Sequence, residues 1–214
     1  MKTELQKIGN AYAVMIPQAF LDEFAVTDAV QIRLENKRII IEATKSKKEW
    51  AKEFVDHILK FRKDDNKGAL AALKCADNPA KEDKSWEYLG RFIDNDYDKF
   101  ACFTIAAAIA KSGINENGEI GISQALAIRY KDEGGNECDQ AKIKLRRLLA
   151  CDSSEEVCRV LRPLFNLINS KGAIQINYVA LLKELLKFDI DNQSVKSNWA
   201  KNFYRYRSLD EANQ

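Results

Sequence analysis

Positively charged side chains cluster on one predicted helix, at a spacing that suits contact with phosphate groups. The stretch AKIKLRRLLA, residues 141–150, places four cations within six positions. At 100° per residue its apolar side chains form one stripe with cations on both flanks. Lys142 and Arg146 flank the stripe on one side, and Lys144 and Arg147 flank it on the other. Such a helix can hold a nucleic-acid backbone without reading its base sequence.

Two more basic groups follow along the chain. Arg159 and Arg162 lie three positions apart and therefore share a face of the next helix. Near the C-terminus, cations alternate with aromatic residues, a combination that can bind phosphates and stack nucleobases. This group comprises Lys196, Lys201, Arg205 and Arg207 with Trp199, Phe203, Tyr204 and Tyr206. A simpler interpretation stays open for each group: the cations form solvated helix flanks, and Trp199 and Phe203 belong to a buried face.

Patterns typical of enzymes and metal sites are missing from the sequence. His57 is the only histidine, and no cysteine or serine near it suggests a catalytic pair. The Gly134-Gly135 pair lacks the lysine and serine or threonine of a phosphate-binding loop. Acidic residues are numerous, but their spacing matches no metal site. We therefore expect a protein without catalytic activity, metal or cofactor.

The cysteines and the apolar runs predict a cytoplasmic protein that does not enter a membrane. The odd count of five, with no CxxC pair, is typical of reduced thiols in a cytosolic chain. Residues 1–10 contain no apolar signal-peptide core, and the longest apolar run, 100–110, is too short to cross a bilayer. Cys102 lies inside that run, so we expect it in the core.

The organisation of the chain changes at a short charged stretch, residues 45–48. The protein has 214 residues and a net charge of +2, so local clusters of charge, rather than bulk charge, must support any interaction with nucleic acid. Residues 1–44 alternate like short strands, whereas residues 49–214 follow helical spacing. We therefore predict a small N-terminal module, a linker at 45–48, and a larger all-α domain.

The N-terminal module is predicted to contain two hairpins and a short helix. Its predicted elements are strands at 3–8 and 12–16, a helix at 17–24, and strands near 29–34 and 38–42. A few short strands without a covering layer are only marginally stable. A partner chain is therefore expected to complete the module.

The remainder is predicted to be a bundle of about eight helices. Amphipathic spacing is strongest at 157–168 and 178–186, and glycines fall between the periodic segments, where helices stop. Pro163 interrupts the first of these two patterns. It predicts either a kink or the true start of that helix.

Residues 1–44 resemble the swapped-hairpin DNA-binding module of the AbrB and MazE antitoxin families. The matching segments are 7–10 (KIGN), 14–17 (VMIP) and 39–42 (IIIE). In those families two chains interlace their hairpins into one small β-barrel, so the resemblance implies a dimer. The pairing residues it implies are Ile8, Val14, Ile16, Ile32, Ile39, Ile40 and Ile41.

The N-terminal segment departs from those families where DNA would be read. Ala11 stands where a serine is usual, and Met15 where an arginine is frequent. Residues 1–46 contain six cations and six acids, so the segment is neutral. We therefore expect this module mainly to pair two chains, with binding of duplex DNA left open.

Residues 48–208 look like the CasB-type small subunit of the type I-E CRISPR Cascade complex. Four segments, in the family's order, support the resemblance: 67–74 (KGALAALK), 144–149 (KLRRLL), the helix pair spanning 161–182, and 199–204 (WAKNFY). Pro163 is a departure, because a second basic residue often follows the family's arginine.

The resemblance implies a non-enzymatic role in RNA-guided DNA recognition. Two copies would line the complex and hold the displaced non-target strand of the R-loop by sequence-independent phosphate contacts. The implied partners are other Cascade subunits, the crRNA, target DNA and a second copy of the chain. The implied contacts are Lys74, Lys142, Lys144, Arg146, Arg147, Arg159, Arg162, Lys196 and Lys201.

Two alternatives remain at this stage. The chain could be an AbrB- or MazE-like transcription regulator or antitoxin, whose helical part binds a partner. It could also be a helical scaffold whose basic faces only confer solubility, which predicts no salt-dependent affinity for single strands.

Overall fold

The protein is mainly helical, with a small β-structure at its N-terminus, as the sequence predicts. The structure is a computed structural model that describes residues 5–8, 11–23, 30–35, 38–43, 47–93 and 96–206. The chain divides into two compact units, Met1–Trp50 and Ala51–Gln214. Lys47 and Lys48, predicted as linker residues, are instead the first two residues of a helix, Lys47–Lys63.

The first unit contains two antiparallel hairpins separated by a short helix. Its described elements are β1 (Leu5–Ile8), β2 (Ala11–Val14), α1 (Gln18–Glu23), β3 (Val30–Glu35) and β4 (Arg38–Ala43). Strand β1 pairs with β2, and β3 pairs with β4. The predicted turn at 9–10 and the loop at 36–37 lie outside the described residues.

One face of the β3–β4 hairpin is apolar and open to solvent. The register places Ile32 opposite Ile41 and Leu34 opposite Ile39, so these four side chains project to the same side. Ile32, Leu34 and Ile39 are 65%, 74% and 71% exposed. Large apolar side chains are therefore exposed together on one face of this hairpin.

The second unit is a bundle of α-helices joined by short loops and 3₁₀ turns. The described helices are α2 (Lys47–Lys63), α3 (Lys67–Leu73), α4 (Trp86–Leu89), α5 (Asp96–Ser112), α6 (Ile122–Arg129), α7 (Asp139–Leu149), α8 (Ser154–Asn169), α9 (Tyr178–Phe188) and α10 (Asn192–Tyr204). None of the helices described is both long and apolar enough to cross a membrane.

Helix α5 forms the centre of this bundle. Every residue from 101 to 110 is buried, which requires a helix that is apolar on all sides. Helices α3, α8 and α9 pack against it, and its alanines allow the close approach of their backbones. Cys102 is fully buried here, as predicted, and the five cysteines are free thiols.

Helix α8 runs through Pro163 without a break, so the prediction that this proline marks the helix start is wrong. The helix begins after Ser153, whose hydroxyl accepts a hydrogen bond from the backbone N–H of Glu156 at 3.3 Å. Pro163 lies on the exposed side of the helix. Its missing N–H removes only the hydrogen bond to the carbonyl of Arg159, a loss the rest of the helix tolerates.

His57 is held as a neutral imidazole on α2. Arg91 Nη2 lies 3.0 Å from His57 Nδ1, and the opposite ring nitrogen, Nε2, lies 3.1 Å from the carbonyl oxygen of Tyr88. Because a guanidinium can only donate, Nδ1 accepts its hydrogen bond and Nε2 carries the proton. Burial lowers the pKa of His57 below its usual 6.5, and the charges of Arg91 and Lys60 lower this pKa further.

The lowered pKa of His57 predicts a loss of stability in mild acid. The unfolded chain binds this proton more tightly than the folded protein, so stability that is complete above pH 6.5 falls as the pH drops below it. In the variant His57→Gln the amide can still donate to Tyr88 and accept from Arg91, but it does not titrate. Urea unfolding measured between pH 7.5 and 5.5 tests this. Over this range the unfolding free energy of the wild type should fall more steeply than that of His57→Gln. Equal slopes for the two proteins would contradict this account.

Candidate nucleic-acid interface

A groove between α7 and α8 brings three of the predicted contact residues together. Its volume is about 380 Å³ and it opens to solvent. Lys144 and Arg147 contribute from α7, and Arg159 contributes from α8. The apolar part of its lining is Val160, Pro163, Leu164 and Leu167. The groove therefore combines three cations with an apolar surface.

The buried stripe of α7 fixes which cations face the groove. Ala141, Leu145 and Leu148 are fully buried, and this sets the rotation of the helix about its axis. Lys144 and Arg147 are three residues apart and share the flank that faces α8. The division of the α7 cations into two flanks, predicted from helical spacing, is therefore seen in the structure.

The three groove cations differ in their present partners. Arg159 forms an ion pair with Glu155 one turn earlier, at 2.5 Å between Nη2 and Oε1. Both side chains are well exposed, and such a surface pair contributes roughly 0–1 kcal/mol. A phosphate can therefore replace Glu155 at low cost. Arg147 is exposed and Lys144 is half-buried, with room for its stem to lie along the apolar lining.

Two other predicted contacts are already engaged by acidic side chains. Lys142 donates to Glu137 at 2.8 Å, and this hydrogen bond raises the pKa of Lys142. Lys196 pairs with Asp152 at 3.2 Å and lies near the ring of Phe188. Both lysines lie outside the groove lining.

The remaining predicted residues lie apart from the groove. Lys74 follows α3 and Lys201 lies on α10, both exposed, and Arg146 is exposed on the other flank of α7. Arg162 is half-buried, and its Nε is buried without a hydrogen-bond partner. At helical spacing Arg162 projects away from the groove side of α8, so Arg159 alone of that pair reaches it.

The aromatic residues near the C-terminus divide between core and surface. Trp199 and Phe203 are 1% and 0% exposed, so the simpler interpretation, a buried helix face, is correct for them. They are therefore not available to stack bases. Tyr204 is half exposed, and Arg207 lies outside the described residues.

The apolar part of the groove lining was not foreseen as part of a site. The amphipathic pattern at 157–168 predicts a helix that Pro163 interrupts, and it predicts no binding surface. A helical projection of α8 contained the missing signal, because Val160, Pro163 and Leu167 share one flank. No cluster of three metal-ligating side chains occurs in the part of the chain that the structure describes.

Comparison with known proteins identifies the helical unit. The family model for the CRISPR-associated protein Cse2 matches residues 69–204. No curated protein sequence matches the chain.

Solved structures share the fold at low sequence identity. A CasB from M. ruber is 21% identical with a TM-score of 0.61, covering 77% of this chain and 98% of its own. A Cse2-family CRISPR-associated protein from Thermus thermophilus is 18% identical with a TM-score of 0.60, covering 73% and 98%. A chain of a CRISPR RNA-guided surveillance complex is 18% identical with a TM-score of 0.59, covering 79% and 98%.

The family match spans well over half of the chain, and its residues 69–204 include α7, α8 and the groove between them. The chain belongs to the Cse2 family of CRISPR-associated proteins.

Proposed function

We propose that the protein is a non-catalytic small subunit of a type I-E Cascade surveillance complex. In this role it binds nucleic-acid backbone and stabilises the displaced non-target DNA strand of the R-loop. Family membership supports the assignment, as does the shared fold with a chain of a CRISPR RNA-guided surveillance complex. Its partners are the other Cascade subunits, the crRNA, the target DNA and a second copy of itself.

The observation that best supports this function is the α7–α8 groove. Three cations, on two helices, surround an apolar lining in one open cavity. Cations contact phosphates of any sequence, and the apolar surface accommodates sugars or unstacked bases. The groove therefore suits a single strand whose sequence is recognised elsewhere, by pairing with the guide.

The energetics of R-loop formation explain why so small a site is sufficient. The RNA–DNA hybrid formed is about as stable as the DNA duplex it replaces. The exchange is therefore nearly balanced, and a few phosphate contacts on the displaced strand shift it towards the open state.

Removing positive charge from the groove should weaken the binding of single-stranded DNA. It should also make this binding less dependent on salt. In the variant Lys144→Gln/Arg147→Gln, two phosphate contacts are lost. The slope of log affinity against log salt should become shallower by about 1.4, at about 0.7 per contact. Fluorescence anisotropy with a labelled single-stranded oligonucleotide at several salt concentrations measures both quantities on the full chain.

A matched control removes the same charge elsewhere. Lys81 and Lys84 are exposed and do not line the groove. The variant Lys81→Gln/Lys84→Gln should keep the wild-type affinity and slope. Equal losses in the two variants would show that binding follows net charge, and the groove would not be the interface.

We also propose that the N-terminal unit pairs two copies of the chain. The exposed apolar face of the β3–β4 hairpin supports this, together with Ile8 and Val14 of the first hairpin, at 65% and 44% exposure. The other implied pairing residues, Ile16, Ile40 and Ile41, are half-buried within the single chain. Pairing raises the effective concentration of one helical unit near another, which suits a subunit that acts in two copies.

Changing the apolar hairpin face should convert a dimer into a monomer. The variant Ile32→Thr/Ile39→Thr keeps β-branched residues in both strands but removes apolar surface. Sedimentation equilibrium at micromolar concentration should give a dimer for wild type and a monomer for this variant. The control Glu35→Thr/Arg38→Thr alters a cross-strand pair on the opposite face and should remain dimeric. A monomeric wild type would contradict the proposal.

A further inference from the structure

A second pocket, separate from the groove, lies among α6, α9, α10 and the loop before α6. Its volume is about 170 Å³. In contrast to the groove, its chemistry is acidic and polar. Its polar lining includes Glu119, Ser123, Gln124, Glu184, Asn198 and Asn202.

Glu184 provides the pocket with a carboxylate whose two hydrogen bonds come from neutral donors. Its Oε2 accepts from Trp199 Nε1 at 2.7 Å, and its Oε1 accepts from Asn198 Nδ2 at 3.1 Å. Burial raises the pKa of Glu184, which these two hydrogen bonds only partly oppose. Each carboxylate oxygen keeps a further position for a hydrogen-bond donor.

Ser123 provides a second, independent feature that points to a ligand. The residue is 1% exposed and lines the pocket, and its hydroxyl oxygen has no hydrogen-bond partner. Buried polar groups in native proteins are nearly always paired, because leaving one unpaired costs free energy. A donor entering the pocket would satisfy this oxygen.

The wall of the pocket is preformed by the loop before α6. The backbone N–H of Gly118 donates to the carbonyl of Ile176 at 3.0 Å, and that of Asn177 donates to Ile120 at 2.8 Å. Gly118 is required here, since a Cβ at this position would lie 1.8 Å from the carbonyl oxygen of Gln175. A ligand therefore meets fixed groups and does not have to order the loop.

Capping side chains occupy two backbone N–H groups in the first turn of α9. Asn117 Oδ1 accepts from the backbone N–H of Tyr178 at 2.8 Å, and Asn177 Oδ1 accepts from that of Ala180 at 2.9 Å. These bonds cap the first turn of α9. Glu119 also lines the pocket and brings a second carboxylate to it. The charged side chains of the lining, Glu119 and Glu184, are both acidic.

We propose that this pocket binds the guanidinium group of an arginine side chain presented by a protein partner. A guanidinium is planar, and its fork of N–H donors matches a carboxylate bidentately, with further donors for the Ser123 hydroxyl and the Asn202 carbonyl. It is also less strongly hydrated than an ammonium group, so it enters a small, half-enclosed pocket more readily. The acidic character disfavours a nucleic-acid backbone, so this surface is distinct from the groove.

The test uses the full chain and a small probe, without nucleic acid or other subunits, so its result does not depend on the proposed Cascade role. The indole N–H of Trp199 donates directly to Glu184 and therefore reports on the site by NMR. Its resonance is identified by its disappearance in Trp199→Phe. The probe is N-acetyl-arginine amide, and the matched neutral control is N-acetyl-citrulline amide.

The expected result is a saturable shift of the Trp199 resonance with the arginine probe and no saturable shift with the citrulline probe. The resonances of Trp50 and Trp86 should not move. In Glu184→Gln, which keeps an acceptor for Trp199, the probe should bind at least about fivefold more weakly, because the negative charge that assists the bidentate contact is lost. Ser123→Ala should weaken it by a smaller factor.

Three results would overturn the proposal. One is the absence of a saturable shift with the arginine probe in the wild-type protein. The second is equal binding of the citrulline probe or of N-acetyl-lysine amide, which would remove the preference for a guanidinium. The third is a shift produced by inorganic phosphate and not by the arginine probe, which would make the pocket an anion site.

Discussion

The burial of α5 on all sides is the constraint on which the helical unit depends. Since residues 101–110 are enclosed, the helices packed on α5 must each turn an apolar face inwards, and the rotation of each helix is fixed by that face. Helix α8 places Leu161 and Ile168 in the core, and this directs Arg159 and Pro163 to the outer flank. The orientation of the groove cations is therefore a consequence of core packing.

The same unit separates two kinds of charge. The α7–α8 groove carries cations over an apolar lining and suits a phosphate backbone of any sequence. The pocket beside α10 carries a buried carboxylate and suits a cationic side chain. The two proposed sites therefore suit ligands of opposite charge. The first unit adds a third kind of surface, the exposed apolar face of the β3–β4 hairpin.

The sequence predicted the fold better than the site, for physical reasons. The periodic patterns of helices and strands are local properties of the sequence. The bundle, the two hairpins and the buried Cys102 could therefore be predicted. Which cations share one cavity depends on how helices pack. Thus Lys144, Arg147 and Arg159 converge, whereas Lys142 and Lys196 are engaged by Glu137 and Asp152, acids that no helical pattern links to them.

Pro163 was misjudged because its tolerance depends on which side of α8 faces solvent. The pocket around Glu184 was not foreseen, since its residues come from α6, α9 and α10.

The most direct test of the central claim is purification of the tagged, full-length protein from its native host, followed by sequencing of the bound RNA. The account predicts a multi-subunit assembly that contains short RNAs of uniform length carrying one repeat sequence. Recovery of a small dimer without RNA, which shifts duplex DNA instead, would contradict it. In that case the N-terminal unit would determine the function, and the protein would act as a regulator of the AbrB or MazE kind.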